Sequence, residues 1–552
     1  MSLSVMPIGT NAVPKINKQQ KKVNYNPTFL GGVKKVCPTK MDLDFTKYNP
    51  IAKLLGGVTI FIHNLKIADK LKSAYTKEDF KDLYDYTKSQ GTFDYVENQK
   101  TGLVKTSFIE TEENELMSDL VWITDSCHNM DLVKANEPKR CTEIFNKVTE
   151  FYAAQQGAFD HAIANPHEYN WNGLYWAGGQ RVGIGHCYIP ETKEAHPWYP
   201  KTRLESVGNY LQTAADLISS GMSGKEFGYK TSEEVPDSVV NAISNTTAYL
   251  KALHYPTARS CGAWEEQTFV YSLTSDTSII NQGVREIMKL MYEDTDNQEL
   301  LALRDRIYNS KHGWVFKDRD ALTALLKAGE RRIAENPNVE TLPKIDYQVS
   351  PNDKKSLARQ YDAAMSFMPQ TETLIEGNAY DDAVAKMAML EELSYAIVRD
   401  NGAIRYAGDE YLRLDSHTVK DKFSQDFEAE WFLVSEISKG YGAIVKQLVQ
   451  YLKEHPEDDE RGTALLNKAL ELETQYINRS YARITPDENT TKANGYPCPP
   501  FKVPEAYEAV TTKDGVIKYV PGAHPLTWAE SSLKSASDMF LENLKRVETL
   551  WK

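Results

Sequence analysis

The chain has 552 residues, 41% hydrophobic and 26% charged, a composition able to bury the core of a large globular protein. Its formal net charge of -13 argues against a nucleic-acid-binding face. The six cysteines (Cys37, Cys127, Cys141, Cys187, Cys261, Cys498) show no CxxC spacing, which argues against a zinc site and a disulfide framework and for a reducing compartment.

In chain order, residues 1–50 carry many Pro, Gly, Asn and Lys and little periodicity, so they read as an irregular leader. The basic stretch 15–22 reads as a solvated tail. The first thirty residues lack the apolar core and small-residue cleavage site of a signal peptide. The best apolar run, 51–67, is interrupted by Lys53, His63, Asn64 and Lys66 and is too short to span a bilayer. These features predict a cytoplasmic protein, or one exported without an N-terminal signal peptide, and no membrane partner. Residues 58–62 and 103–109 have a strand-like pattern with a helical stretch over 76–87 between them. The expected organisation is an N-terminal extension over 1–110, an irregular leader plus a small α+β element, followed by a main domain over 111–552.

From about residue 140 the pattern becomes a succession of amphipathic helices. Residues 237–254 follow Pro236 and place Val240, Ile243, Thr247, Leu250 and Leu253 on one stripe. Residues 379–399, 430–452 and 529–550 are further strong cases; weaker ones fall at 142–164, 205–219, 277–293, 318–335, 354–367 and 459–478. Together they predict a mainly α fold of roughly ten to twelve helices. Between them lie long loops rich in Trp, Tyr, Gly and Pro, notably 165–204, 255–268, 400–428 and 479–528. Long aromatic loops at one end of a helical fold are where a pocket would be built.

Two of these loops carry glutamates in aromatic and proline-rich surroundings: Trp264-Glu265-Glu266 after Gly262, and Pro504-Glu505 ahead of Pro525-Leu526-Thr527-Trp528. Each alone also fits a bland role, an acidic first turn of a helix for the former and a solvent-facing loop residue for the latter. As a pair they suit glycoside hydrolysis, which needs one carboxyl kept protonated and one ionised. Aromatic walls would supply a sugar-stacking surface and the desolvation that raises one pKa.

These segments resemble glycoside hydrolase family 15, the glucoamylase-like enzymes, and the related glucoamylase-like domain of phosphorylase kinase regulatory subunits. Further segments add to the likeness, which covers roughly residues 120–552. Arg405-Tyr406-Ala407-Gly408-Asp409-Glu410-Tyr411 looks like the family's Arg-Tyr-x-x-Asp-x-Tyr loop, and Glu430-Trp431-Phe432-Leu433 like the helix start that follows it. Trp122-Ile123-Thr124-Asp125 is similar to the family's Trp-x-Arg-Asp, and the stretch from Trp198 to Gly208 to a Trp-rich loop leading into a helix. The resemblance implies an (α/α)6 barrel with the site at one end. It implies Glu265 as general acid and Glu505 as general base, with carboxyls roughly 6.5–9.5 Å apart for inversion. Trp122, Asp125, Trp198, Trp264, Glu266, Arg405, Asp409, Tyr411, Trp431 and Trp528 would then line the substrate site.

The implied substrate is an α-glucan or oligosaccharide such as glycogen or starch, with glucose released from α-1,4 and possibly α-1,6 linkages; no metal or organic cofactor is needed. Two departures stand out: Thr124 replaces the family's arginine, and Glu205 or a neighbour replaces its usual aspartate. They admit two further readings, a non-catalytic glucan-binding or regulatory protein on the same scaffold, and a related enzyme acting on trehalose or isomalto-linked sugars.

Overall fold

The computed structural model describes residues 51–98, 101–107, 120–168, 176–177, 180–181, 183–196, 203–264, 271–335, 339–343, 361–407, 409, 428–488, 490–491, 497–511 and 517–550. All of them belong to one unit, Lys40–Lys552. Among them, twelve helices alternate in chain order between an outer and an inner layer. They are α1 (Lys77–Ser89, outer), α2 (Ile123–Asn136, inner), α3 (Cys141–Ala154, outer), α4 (Leu204–Met222, inner), α5 (Asp237–Leu253, outer) and α6 (Thr274–Tyr292, inner). The second half continues with α7 (Arg319–Glu335, outer), α8 (Met368–Thr371, inner), α9 (Ala379–Ile397, outer), α10 (Val434–Glu454, inner), α11 (Asp459–Ala482, outer) and α12 (Thr527–Leu550, inner).

The inner helices close a ring. Helix α2 packs on α4, α4 on α6, α6 on α8, α8 on α10, α10 on α12, and α12 returns to α2. Each outer helix covers an inner neighbour: α1 lies on α12, α3 on α2, α5 on α4, α7 on α6, and α9 and α11 on α10. This is the expected (α/α)6 barrel, with a small α+β addition at its N-terminal side. Helix α8 is a single turn, extended at its start by the 3-10 turn Ala363–Phe367. That turn is the described part of the helix expected over 354–367.

Local chemistry accounts for several of the boundaries. Thr76 and Asp79 form a reciprocal capping box at the start of α1. Asn378 accepts from the amides of Tyr380 and Asp381 at the start of α9. Helix α5 begins after Pro236 and ends at His254, whose φ of 51° is left-handed. The stretch 142–164 divides into α3 and a second helix, Gln156–Ala164. Helix α2, which had no predicted counterpart, buries Thr124, Asp125, Ser126 and Asn129 along with Ile123, Leu132 and Val133, while the stripe of His128, Asp131 and Lys134 is half-buried. With polar residues on its buried side as well, its sequence shows little amphipathic contrast. A further helix, Gln298–Asn309, was also not predicted.

Near the N-terminus, β1 (Ile51–Leu55) and β2 (Val58–Ile62) pair antiparallel through a turn at Gly56 and Gly57, both at positive φ, as glycine alone permits at low cost. The strand expected over 103–109 is not a strand: residues 101–107 make only isolated bridges, Val104 with Glu97 and Ser107 with Leu526, and 108–109 lie outside the described residues. The hairpin packs on the barrel, whose outer layer begins with α1. Strand β2 lies against α11, and Phe80 of α1 meets Phe540 of α12 edge-on at 4.6 Å.

A five-stranded sheet forms from parts of the expected loops 400–428 and 479–528 and from residues 398–399 and 430–431, which were expected at the ends of the helices 379–399 and 430–452. Its strands are β3 (Val398–Arg399), β4 (Gly402–Ala403), β5 (Glu430–Trp431), β6 (Pro504–Thr511) and β7 (Ile517–Pro525), side by side in the order β7-β6-β5-β4-β3. Trp431 lies opposite both Ala403 and Ala506, and Glu430 opposite Tyr507. Pro504, Pro521, Pro525 and Gly522 hid β6 and β7 from a reading by strand propensity, and the register shifts between Pro504 and Ala506.

Candidate active site

The first turns of the inner helices meet at one end of the barrel, and each of five carries a buried acidic residue: Asp125 in α2, Glu205 in α4, Asp276 in α6, Glu436 in α10 and Glu530 in α12. Helix N-termini favour negative charge, so these positions tolerate buried carboxylates better than most. Glu205, Glu436 and Glu530 are also tied to their surroundings by hydrogen bonds or ion pairs. The Glu205 carboxylate accepts from Arg203 Nε at 2.5 Å and from Thr124 Oγ1 at 3.4 Å. Thr124, which stands where the resembling family has an arginine, thus contacts a glutamate that already has a guanidinium, from Arg203, beside it. Burial pushes the Asp276 carboxyl well above the usual range, and the neighbouring Glu205 adds to the effect. Burial would raise Glu436 too, but Lys439 at 2.8 Å and the Ser532 hydroxyl at 2.5 Å hold it below the usual range.

The sheet brings the predicted aromatic and cationic residues onto this end. Arg405, two residues beyond β4, is buried and donates twice to Asp409, from Nε and Nη2, at 2.6 Å each. Its guanidinium lies 4.9 Å from the centre of the Trp431 ring and 5.4 Å from that of Trp264. The two indoles are 6.1 Å apart. Arg405 is therefore a planar cation flanked on one side by two tilted indoles that also meet each other, and it is oriented by a carboxylate fork. Trp264 is partly buried and donates from Nε1 to Asp362 Oδ1 at 2.8 Å; the same oxygen accepts the Ala364 amide at 2.9 Å. Through this bond Asp362, which the sequence reading did not single out, fixes the residue that precedes Glu265. Its only signal was its place before a short helical turn, the usual position of a capping aspartate.

Glu505 lies in β6 beside the bulge, partly buried, and its carbonyl accepts the Phe432 amide at 3.1 Å. Its main chain is thus joined to the residue after Trp431. Trp528 opens α12 and stacks on His128 of α2 with ring centres 4.6 Å apart, and Phe432 meets its edge at 5.2 Å. Burial pushes the His128 imidazole down to about 4, so it is neutral at pH 7. Trp122 and Asp125 begin α2, both buried, with Trp122 5.6 Å from His186. The structure therefore gathers Trp264, Arg405, Asp409, Trp431 and the Glu505 main chain around β4, β5 and β6, and places Trp122, Asp125 and Trp528 at first turns of the ring. Glu265, Glu266, Trp198 and Tyr411 lie outside the described residues.

This architecture has a counterpart among solved structures. The chain is similar in fold to a glycosidase. The TM-score is 0.50 over 85% of this chain and 99% of that protein, a glutamate-to-alanine variant, at 10% sequence identity. At that identity the likeness speaks for the fold alone. No family model matches the sequence, and no curated protein matches it.

A partly buried carboxylate such as that of Glu505 can accept a proton from water, and aromatic rings with a fixed guanidinium can hold a polar, ring-shaped ligand by stacking and charge-assisted hydrogen bonds. Among the described residues no cluster of His, Cys, Asp or Glu is placed to hold a metal ion, and no helix is long and apolar enough to cross a membrane.

Proposed function

We propose that this protein is a glycoside hydrolase, an inverting and exo-acting enzyme that releases glucose from α-1,4-linked glucans such as glycogen. Glu265 is its general acid and Glu505 its general base. The observation that carries this reading is the Trp264, Arg405 and Trp431 cluster joined through β5 to the strand of Glu505, at the end of the barrel where the inner helices begin. The fold shared with a glycosidase supports it, as does the order of the glutamate-bearing segments along the chain.

In this scheme the indoles of Trp264 and Trp431 offer faces to the sugar, and Asp125 and Arg405 orient its hydroxyls. Glu505 draws a proton from water on the face of the ring opposite Glu265, which protonates the departing oxygen. Release of glucose from glycogen, maltooligosaccharides, isomaltose and trehalose tests the assignment. Wild-type protein is expected to act on the first two, and Glu505→Gln to lower kcat by about 10²–10⁴-fold while folding normally. A panel with no glucose release, including one with glycogen binding alone, would contradict the reading, as would near-normal turnover by the variant.

A further inference from the structure

Arg483 follows the last residue of α11 and is 1% exposed, among the most deeply enclosed side chains described. No carboxylate within salt-bridge distance of its guanidinium is described. Its Nη1 and Nη2 protons go instead to main-chain carbonyls, while Nε makes no hydrogen bond among the described residues. Nη1 donates to Asn401 O and, at 3.0 Å, to Glu430 O; Nη2 donates to Pro504 O at 3.0 Å and to Glu505 O at 3.5 Å. One planar group therefore joins the turn between β3 and β4, strand β5, and the peptide units on both sides of the Glu505 side chain. Enclosing a cation this way is unfavourable by itself; burial lowers the guanidinium pKa to about 10. An apolar side chain would fill the space at less cost but could not fix three strands in register.

The surroundings reinforce the clamp. The Tyr507 hydroxyl donates to Arg483 O at 2.8 Å, and its ring centre lies 5.1 Å from the guanidinium. His63 stacks on Tyr507 at 4.0 Å and its Nε2 lies 2.9 Å from Asn401 Oδ1, an acceptor, so this nitrogen carries the proton. Burial pushes the His63 imidazole down to about 3, which keeps a second positive charge away from Arg483. The His63 amide donates to Ala482 O at 3.0 Å, linking the end of the N-terminal hairpin to the same point.

We propose that Arg483 is a positioning residue for Glu505: by binding the carbonyls of Pro504 and Glu505 together with those of Asn401 and Glu430, it holds the carboxylate at its working distance from the sugar. This rests on the reading of Glu505 as the general base. The test is steady-state kinetics of Arg483→Lys and Tyr507→Phe on maltooligosaccharides, well below their melting temperatures, with Glu505→Gln in parallel. Lysine keeps the charge but loses the planar fork, and a displacement of about 1 Å at a reacting group costs about 10²-fold. Arg483→Lys is therefore expected to lower kcat at least tenfold with KM within about threefold, because the Trp264, Arg405 and Trp431 contacts persist. Tyr507→Phe, which removes one hydroxyl, is expected to lower kcat by about threefold at unchanged KM. If Arg483→Lys does not fold, the Tyr507→Phe result decides. Unchanged kcat in the folded variants, or a loss wholly in KM, would overturn the positioning role while a crippled Glu505→Gln left the base assignment standing. Absence of hydrolysis by the wild-type chain would overturn both.

Discussion

Burial of glutamates without full charge compensation recurs throughout this protein, and Glu473 of α11 isolates its effect. Both its carboxylate oxygens lie near Asn543 Nδ2, at 3.0 and 3.2 Å, and burial raises its pKa from 4.5 to about 8. The protonated form is thus the native one at neutral pH. A carboxyl whose folded pKa is raised stabilises the fold fully below its unfolded value of about 4.5; that contribution is lost as pH rises through about 8. Glu473→Gln cannot ionise, so its stability relative to wild type should improve from pH 5 to pH 8. The gain is roughly 1.4 kcal/mol for each pH step over which the wild-type carboxyl is protonated when folded and ionised when unfolded. Urea unfolding at both pH values measures the difference; a difference that stays the same from pH 5 to pH 8 would show that Glu473 is ionised in the fold. Little of this was legible in the sequence, because a glutamate on a helix looks the same whether it faces water or Asn543.

At the scale of elements, the inner ring depends on close helix packing. Gly208 of α4 and Gly283 of α6 face one another so tightly that a Cβ on Gly283 would lie 2.3 Å from Gly208 O, and one on Gly208 2.8 Å from the Ile280 Cα. These are backbone atoms that cannot swing aside. Gly283→Ala should force the two helices apart and cost about 1–3 kcal/mol, seen as a lower urea midpoint at unchanged slope. A neutral result would mean that the two helices are free to separate. Amphipathic helices such as α5, α9 and α12 were legible because one face meets the core and the other water. Helix α2 was not, since Asp125, Ser126 and Asn129 are as buried as Ile123 and Leu132. Strand β6, which carries Glu505, was hidden for a different reason. Pro504 heads it, and its pairing with β5 and β7 is a tertiary fact that no local pattern encodes.

For the molecule as a whole, the segment 51–107 completes the barrel. Helix α1 is the outer member over α12, Asn64 Nδ2 donates to Thr485 O, Thr92 Oγ1 donates to Phe501 O and Lys502 Nζ to Gly91 O. These bonds fall on the strands and turns that flank Glu505. A chain beginning at residue 111 should therefore lose cooperative thermal unfolding, followed by circular dichroism; a sharp transition in that truncated chain would show that the segment is dispensable. At this scale periodicity made a succession of helices legible, whereas their closure into a ring was an expectation that came from the family resemblance alone. The closing contribution of the N-terminal segment was not legible, because its partners lie some 400 residues away, as for Thr92 and Phe501. The central claim is that Glu505 activates water across the sugar from Glu265, and the anomeric form of the first glucose released reports on it directly. Proton NMR during early digestion of maltoheptaose should show β-glucose appearing first and then mutarotating. α-Glucose as the initial product, or no glucose at all, would contradict the account.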